Sequence, residues 1–258
     1  MTRTGQVFRA DPTNVGDWWC PPVRYFDLPD PAIGDIKALD LDALADHVVV
    51  GGGGLISANF DARMARLAAA RPRLKSLVAW GIGESLLNDK TGGRVGRYDG
   101  PLPDWLEAFD LVGLRDVEHG YRWAPCASCM SPLFDRPPPV EHAIAVYEHK
   151  RIPIPIEGLP RLSNDGDDLG RALAFLGSAE TVVTNSYHGA YWATLLGRRV
   201  IALPSLSKLH RMKHPPTIAW HDDWRDKLDE ARAWPEALEE CRAANRAFYA
   251  DVRALQSA

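Results

Sequence analysis

No apolar run in this chain approaches the ~18 residues that a membrane-spanning helix needs. The first residues, Met1 to Arg9, lack the apolar core of a signal peptide. A basic excess is missing too: 30 Lys and Arg stand against 34 Asp and Glu, a formal net charge of −4. Nucleic-acid binding calls for a basic face or arm, so none is expected. Cysteine is scarce. Of the four, only Cys126 and Cys129 form a C-x-x-C pair, whereas a structural zinc site usually takes four ligands. A redox pair would more often open a helix after a strand. Here Pro125 precedes the pair and Ser131 and Pro132 follow it. The pair therefore reads as a structural loop with reduced thiols, and neither metal nor cofactor is expected. What these absences leave is a cytoplasmic globular protein with no membrane-spanning segment, though peripheral membrane contact stays open.

With 46% hydrophobic and 25% charged residues, 258 positions suit one large or two small domains, since domains commonly hold ~100–150 residues. Asp46 to Gly51 is a run of β-branched residues of the kind that fills a parallel strand covered on both faces. Leu74 to Trp80 and Asp110 to Asp116 read as further strands, with a helix over Asn59 to Ala70 and a short one over Pro103 to Phe109. Alternating strands and helices argue for a doubly wound parallel sheet. Pro137, Pro138 and Pro139 cannot join a helix or a central strand and stiffen a linker. Beyond it a new strand starts at His142, a helix covers Asp167 to Leu176, and strands cover Thr181 to Thr184 and Val200 to Leu203. A last helix runs from Pro235 to about Leu255, with Pro235 suited to its first turn.

In an open parallel sheet, ligands sit where strands end and helices begin. His188 stands at such a turn, with Asn185 and Ser186 as capping candidates and Tyr187 beside it. The positive end of a helix disfavours imidazolium, so a base-competent neutral ring is favoured. A buried structural histidine fits the same pattern. Gly51, Gly52, Gly53 and Gly54 follow a strand and serve either a close ligand approach or a tight turn. They match neither a Walker loop nor the dinucleotide fingerprint, which needs a Gly or Ala where Ile56 stands. Asn14 and Asp17 flank Gly16 in a turn. His47 reads as a satisfied structural histidine, and Arg115 with Asp116 as a structural pair or an anion contact. Lys208, Arg211 and Lys213 make a basic loop suited to phosphate or carboxylate.

Taken in order, Asn14-x-Gly16-Asp17, Val48 to Ile56, Trp80 to Gly83, Leu114 to Asp116, Ser186 to Ala190 and Leu196 to Ile201 resemble the polysaccharide pyruvyl transferase family. The resemblance spans about Asn14 to Leu203. It implies a GT-B-like fold: two Rossmann-like domains facing across a cleft, with a C-terminal helix returning to the first. On this reading residues 1–138 form the acceptor side, 139–234 the donor side and 235–258 the returning helix. The resemblance also implies transfer of the enolpyruvyl unit of phosphoenolpyruvate to two hydroxyls of a saccharide, free or lipid-linked, as a cyclic ketal in exopolysaccharide biosynthesis. His188 matches the family's catalytic histidine. Many members carry arginine where this chain has Ser186, and Lys208, Arg211 and Lys213 are expected to supply that charge. Asn14, Asp17, Gly52, Gly53, Gly54, Arg115, Asn185, Ser186 and Tyr187 complete the expected substrate site. The competing readings are a GT-B glycosyltransferase using a nucleotide sugar, with Glu157 and Asp165 to Asp168 as ribose partners, and a non-catalytic binding protein.

Overall fold

The computed structural model of the protein describes residues 3–86 and 94–257. Two sheets, all of whose paired strands are parallel, organise the chain. The first contains β1 (Thr4–Phe8), β2 (Pro31–Asp35), β3 (His47–Gly51), β4 (Ser76–Ile82), β5 (Leu111–Leu114) and β6 (Arg122–Trp123), in the order β2-β1-β3-β4-β5-β6. The second contains β7 (His142–Glu148), β8 (Arg161–Ser163), β9 (Ala179–Thr184), β10 (Arg199–Ala202) and β11 (Thr217–Ile218), in the order β11-β10-β9-β7-β8. Counted from its own first strand, each sheet follows the same winding. The chain leaves the first strand to one side, then crosses to the other. The switch falls between β1 and β3 in one sheet and between β7 and β9 in the other. That crevice at the carboxyl ends of the strands is where open α/β sheets take ligands.

The central strands form because both their faces are covered. On the first sheet, Met64 and Leu67 of α2 (Asp61–Ala69) cover the Val48, Val50, Leu77 and Ala79 face. The opposite face, with Val49, Val78 and Trp80, is covered by Phe248 and Val252 of the C-terminal helix, α5 (Ala237–Ser257). Burying side chains of this size contributes about 1.5–3 kcal/mol each. On the second sheet, α3 (Leu169–Gly177) and α4 (Tyr187–Leu195) pack on one face. Ile154, Ile156, Ala219 and Trp224 pack on the other. Every residue of α4 is buried, as a helix lacking a polar face must be.

Several contacts join the sheets, Val15 N donating to Asn164 O at 3.1 Å among them, and two elements add to these. α5 begins among the α3 and α4 side chains through Ala237 and Cys241 and ends on the first sheet. Midway, buried Asn245 accepts from Trp80 Nε1 at 2.8 Å and donates to the carbonyls of Pro125 and Cys241. Pro235 lies outside this helix, whose first residue is Ala237. The second link is the loop after β10. Ser207 N donates to Leu86 O at 3.0 Å, and Val117 N donates to Arg211 O at 2.9 Å. The loop holds carboxyl ends of strands from the two sheets near each other. Among the described residues no helix is long and apolar enough to cross a membrane.

Candidate functional site

A cavity of about 230 Å³ lies between these strand ends. The loops after β1, β3, β4 and β5 bring Asp17, Gly54, Ser85 and Arg115 to it. Those after β7, β8, β9 and β10 bring His149, Asn164, His188 and Lys208. Asn14 also lines it, and so do Ser186 and Tyr187.

His188 sits in the first turn of α4, where Ser186 Oγ caps the helix by accepting from Gly189 N at 3.3 Å. Its ring is buried between Trp192 and Tyr187, with centroids 5.0 and 5.4 Å away. Nδ1 lies against α1 (Val15–Trp19), and a Cβ on Gly16 would collide with it. The glycine between Asn14 and Asp17 is thus a close-approach position, beyond the needs of a turn. Burial above all, followed by the charges of Arg115 and Lys208, holds the His188 pKa well below the ordinary imidazole value. The ring is neutral at physiological pH.

The cations face it. Arg115 is 3% exposed, with its guanidinium carbon 3.6 Å from the centre of the Tyr187 ring. Its Nε has no hydrogen-bond partner among the described residues, and a buried donor left so is costly. Burial, then repulsion from Arg115, pulls the Lys208 pKa down to about 8, with Asp17 acting the other way. Lys208 is therefore still mostly charged at neutral pH. Asp17 is pushed up to about 6 by burial, against the pull of Lys208 and Arg115. Asn14 orients it: Nδ2 donates to Asp17 Oδ2 at 3.0 Å, while Oδ1 caps α1 and accepts from Asn164 Nδ2 at 3.1 Å. Arg9 also lines the cavity but is held by Asp35 at 2.7 Å and Asp11 at 3.3 Å. The result is a small concave site with a surplus of positive charge, suited to an anion.

Several expected site residues lie elsewhere, each because another group already satisfies it. Arg211 is buried in a clamp with Asp99 at 2.9 Å, Glu118 at 3.3 Å and the Tyr98 carbonyl at 2.8 Å. Lys213 pairs with Glu240 at 3.4 Å and lies over the Trp123 ring. Asn185 accepts from His149 N at 2.7 Å and donates to Ile152 O at 2.8 Å, which fixes the loop that carries His149. Within the glycine turn only Gly54 lines the cavity. Gly52 and Gly53 have φ of 77° and 88°, a left-handed conformation that favours glycine. Gly52 donates its N–H to Trp80 O and packs on Cys20, so its role is the turn itself. Gly53 accepts from Gly83 N. Asp165, Asp167 and Asp168 line a separate hollow of about 150 Å³, and Glu157 is exposed away from the cavity.

Arg9, His149, Asn164 and Ser85 are cavity residues that sequence reasoning missed. His149 directly follows the strand that begins at His142, so the strand-end rule points to it. Burial and the nearby lysines and Arg151 hold His149 down to about 4. Its Nδ1 accepts from Arg151 N at 3.2 Å, so Nε2 carries the ring proton. The structural loop of Cys126 and Cys129 lies against His188 through Cys126. Cys126 Sγ is 3.4 Å from His188 Nε2. His47 bonds Ser76 Oγ at 2.7 Å inside the first sheet. Among the described residues no group of three His, Cys, Asp or Glu is placed to hold a metal ion. No protein-family model and no curated protein sequence matches the chain.

Proposed function

We propose that the protein is a pyruvyl transferase-like enzyme. It moves the enolpyruvyl unit of phosphoenolpyruvate onto two hydroxyls of a saccharide as a cyclic ketal, working across a GT-B-like cleft. One observation carries the reading. Arg115 and Lys208, two cations without a carboxylate salt-bridge partner among the described residues, share a small cavity with a neutral imidazole and one carboxyl, Asp17. Phosphoenolpyruvate brings a phosphate and a carboxylate, which two such cations can hold. The cavity volume of about 230 Å³ is below the ~300–1,000 Å³ typical for drug-sized ligands. It favours this small donor over a nucleotide sugar, as does the absence of Glu157, Asp165, Asp167 and Asp168 from its lining. The acceptor then approaches from the side of the first sheet, residues 1–138, with 139–234 supplying the histidines and Lys208.

The chemistry balances on two residues. Asp17, in the fraction that holds its proton at neutral pH, gives it to C3, leaving a cationic C2. A saccharide hydroxyl attacks C2 and its proton passes to His188. The C2–O bond to phosphate breaks, and the leaving phosphate takes the proton from His188. The second hydroxyl closes the ring on C2 and returns a proton to Asp17. One phosphoenolpyruvate and two hydroxyls become a ketal and phosphate, with both residues restored. Acid–base groups so placed contribute ~10²–10⁴-fold.

Thermal denaturation with phosphoenolpyruvate, UDP-sugars and GDP-sugars in separate samples tests the reading. At a hundredfold excess over Kd, binding adds about 2.7 kcal/mol of stability. For a chain of this size that is a rise on the order of 5–10 °C. The rise is expected with phosphoenolpyruvate alone. A rise with a nucleotide sugar and none with phosphoenolpyruvate points to glycosyl transfer instead and overturns the proposal.

A further inference from the structure

His188 has two ring nitrogens in different surroundings. Nε2 faces Cys126 Sγ at 3.4 Å. That sulfur lies 3.2 Å from Ser128 Oγ, which accepts the indole N–H of Trp192 at 2.9 Å. Trp192 is one helical turn beyond His188 on α4 and packs against its ring. Cys126 is held from its other end as well, since its carbonyl accepts from Tyr191 Oη at 2.9 Å. Cys126, Ser128 and Trp192 are fully buried. Nδ1, by contrast, has no hydrogen-bond partner among the described residues and lies on the α1 side, beside Gly16.

A neutral imidazole has one N–H and one bare nitrogen, and the partner of one decides the role of the other. We propose that Cys126 is a positioning residue whose sulfur accepts Nε2–H of His188 and so keeps Nδ1 bare on the α1 side, where Asn14 and Asp17 line the cavity. The inference rests on the reading of His188 as the base. It gives Cys126 a role that Cys129 does not share, since Cys129 Sγ accepts from Asn245 Nδ2 at 3.3 Å. A neutral thiol orients the ring without favouring imidazolium, as a carboxylate in the same place would. Burial pushes the Cys126 thiol up, so it stays protonated, with Ser128 Oγ within hydrogen-bond distance at 3.2 Å. The sulfur is an acceptor in this array, with no nucleophilic part in transfer.

The test is side-chain ¹⁵N NMR of His188 in the full chain near pH 7.5, without ligand. The native protein is expected to show the Nε2–H tautomer. Cys126→Ala removes the acceptor and is expected to move the population toward Nδ1–H, whereas Cys126→Ser retains Nε2–H. With phosphoenolpyruvate and an acceptor, Cys126→Ala should lower kcat roughly 10- to 100-fold, within the ~10²–10⁴-fold that acid–base groups contribute. KM for phosphoenolpyruvate should hold, and Cys126→Ser should recover most of kcat. Nδ1–H as the main form of the native protein overturns the proposal, and so does an unchanged tautomer in a folded Cys126→Ala. The native spectrum decides even where Cys126→Ala does not fold. It also needs no donor, so a protein that ignores phosphoenolpyruvate refutes the proposed function and leaves this inference separately testable.

Discussion

Lys208 and Arg211 are three residues apart on one loop, yet they belong to different machines. Around the terminal nitrogens of Arg211 stand acceptors, Asp99, Glu118 and the Tyr98 carbonyl, while Glu84 lies 3.8 Å from its Nε, which has no hydrogen-bond partner among the described residues. Around Lys208 the charged neighbours are Arg115, which repels it, and Asp17, itself raised toward neutrality. The first region is a closed ion network that holds the loop of the second sheet onto the first. The second is a cavity with charge to spare. A cation becomes a binding group when the fold withholds its carboxylate, and a clamp when the fold supplies one.

The contrast can be broken at several points. His188→Ala carries the largest expected effect: loss of ~10²–10⁴-fold in turnover, with folding and donor affinity near native. Turnover within a few-fold of native would remove His188 from the chemistry. Arg211→Ala should act on stability. It leaves Glu84, fully buried, with His119 as its remaining charge partner. Breaking a buried pair costs about 3 kcal/mol or more, a fall on the order of 6–12 °C in Tm. An unchanged Tm would show that the clamp contributes little.

Lys208→Met and Lys213→Met sharpen the comparison within the same loop. Loss of a charge-assisted bond of about 1.5–3 kcal/mol should weaken phosphoenolpyruvate binding about 10- to 100-fold in the first. The second removes a half-exposed pair worth at most about 1 kcal/mol to stability and should leave binding alone. Equal losses in the two variants would return Lys213 to the site.

The smallest effect is the pH dependence. Lys208, lowered to about 8, loses its charge as pH rises past that value. Asp17, raised to about 6, gains a charge that repels the donor as pH rises past 6. Both make binding weaker with rising pH. Asp17→Asn should erase the lower step and Lys208→Met the upper, measured as Kd against pH. The stability sign follows from the raised Asp17 value. The folded state holds that proton more tightly than the unfolded chain, so stability falls as pH rises from about 4 to about 6. Asp17→Asn should be more stable than the native protein at pH 8, by at most about 3 kcal/mol.

Much of this was legible because some strands announce themselves. β3, β4, β9 and β10 are dense in Val, Ile, Leu and Ala and are buried on both faces. β1 is hidden in the sequence, because Thr4 and Gln6 interrupt its apolar pattern. Both are nevertheless buried, and Gln6 Nε2 donates to Val49 O at 3.0 Å, a partner 43 positions away. β2 carries Pro31 and Gly34 and looks like a turn; it is tolerated as an edge strand. His188, Arg115 and Lys208 could be found because each follows a strand. The division of labour between Lys208 and Arg211 could not, since Asp99 and Glu118 lie more than ninety positions from Arg211 in the chain. The same holds for Cys126, whose contact with His188 spans 62 positions.

The most direct measurement is a calorimetric titration of phosphoenolpyruvate into the native protein and into Arg115→Met, Lys208→Met and Lys213→Met at pH 7. Saturable one-to-one binding is expected for the native protein and Lys213→Met, with strong weakening in Arg115→Met and Lys208→Met. Absence of binding to the native protein, or equal binding by all four, would contradict the assignment of the cavity.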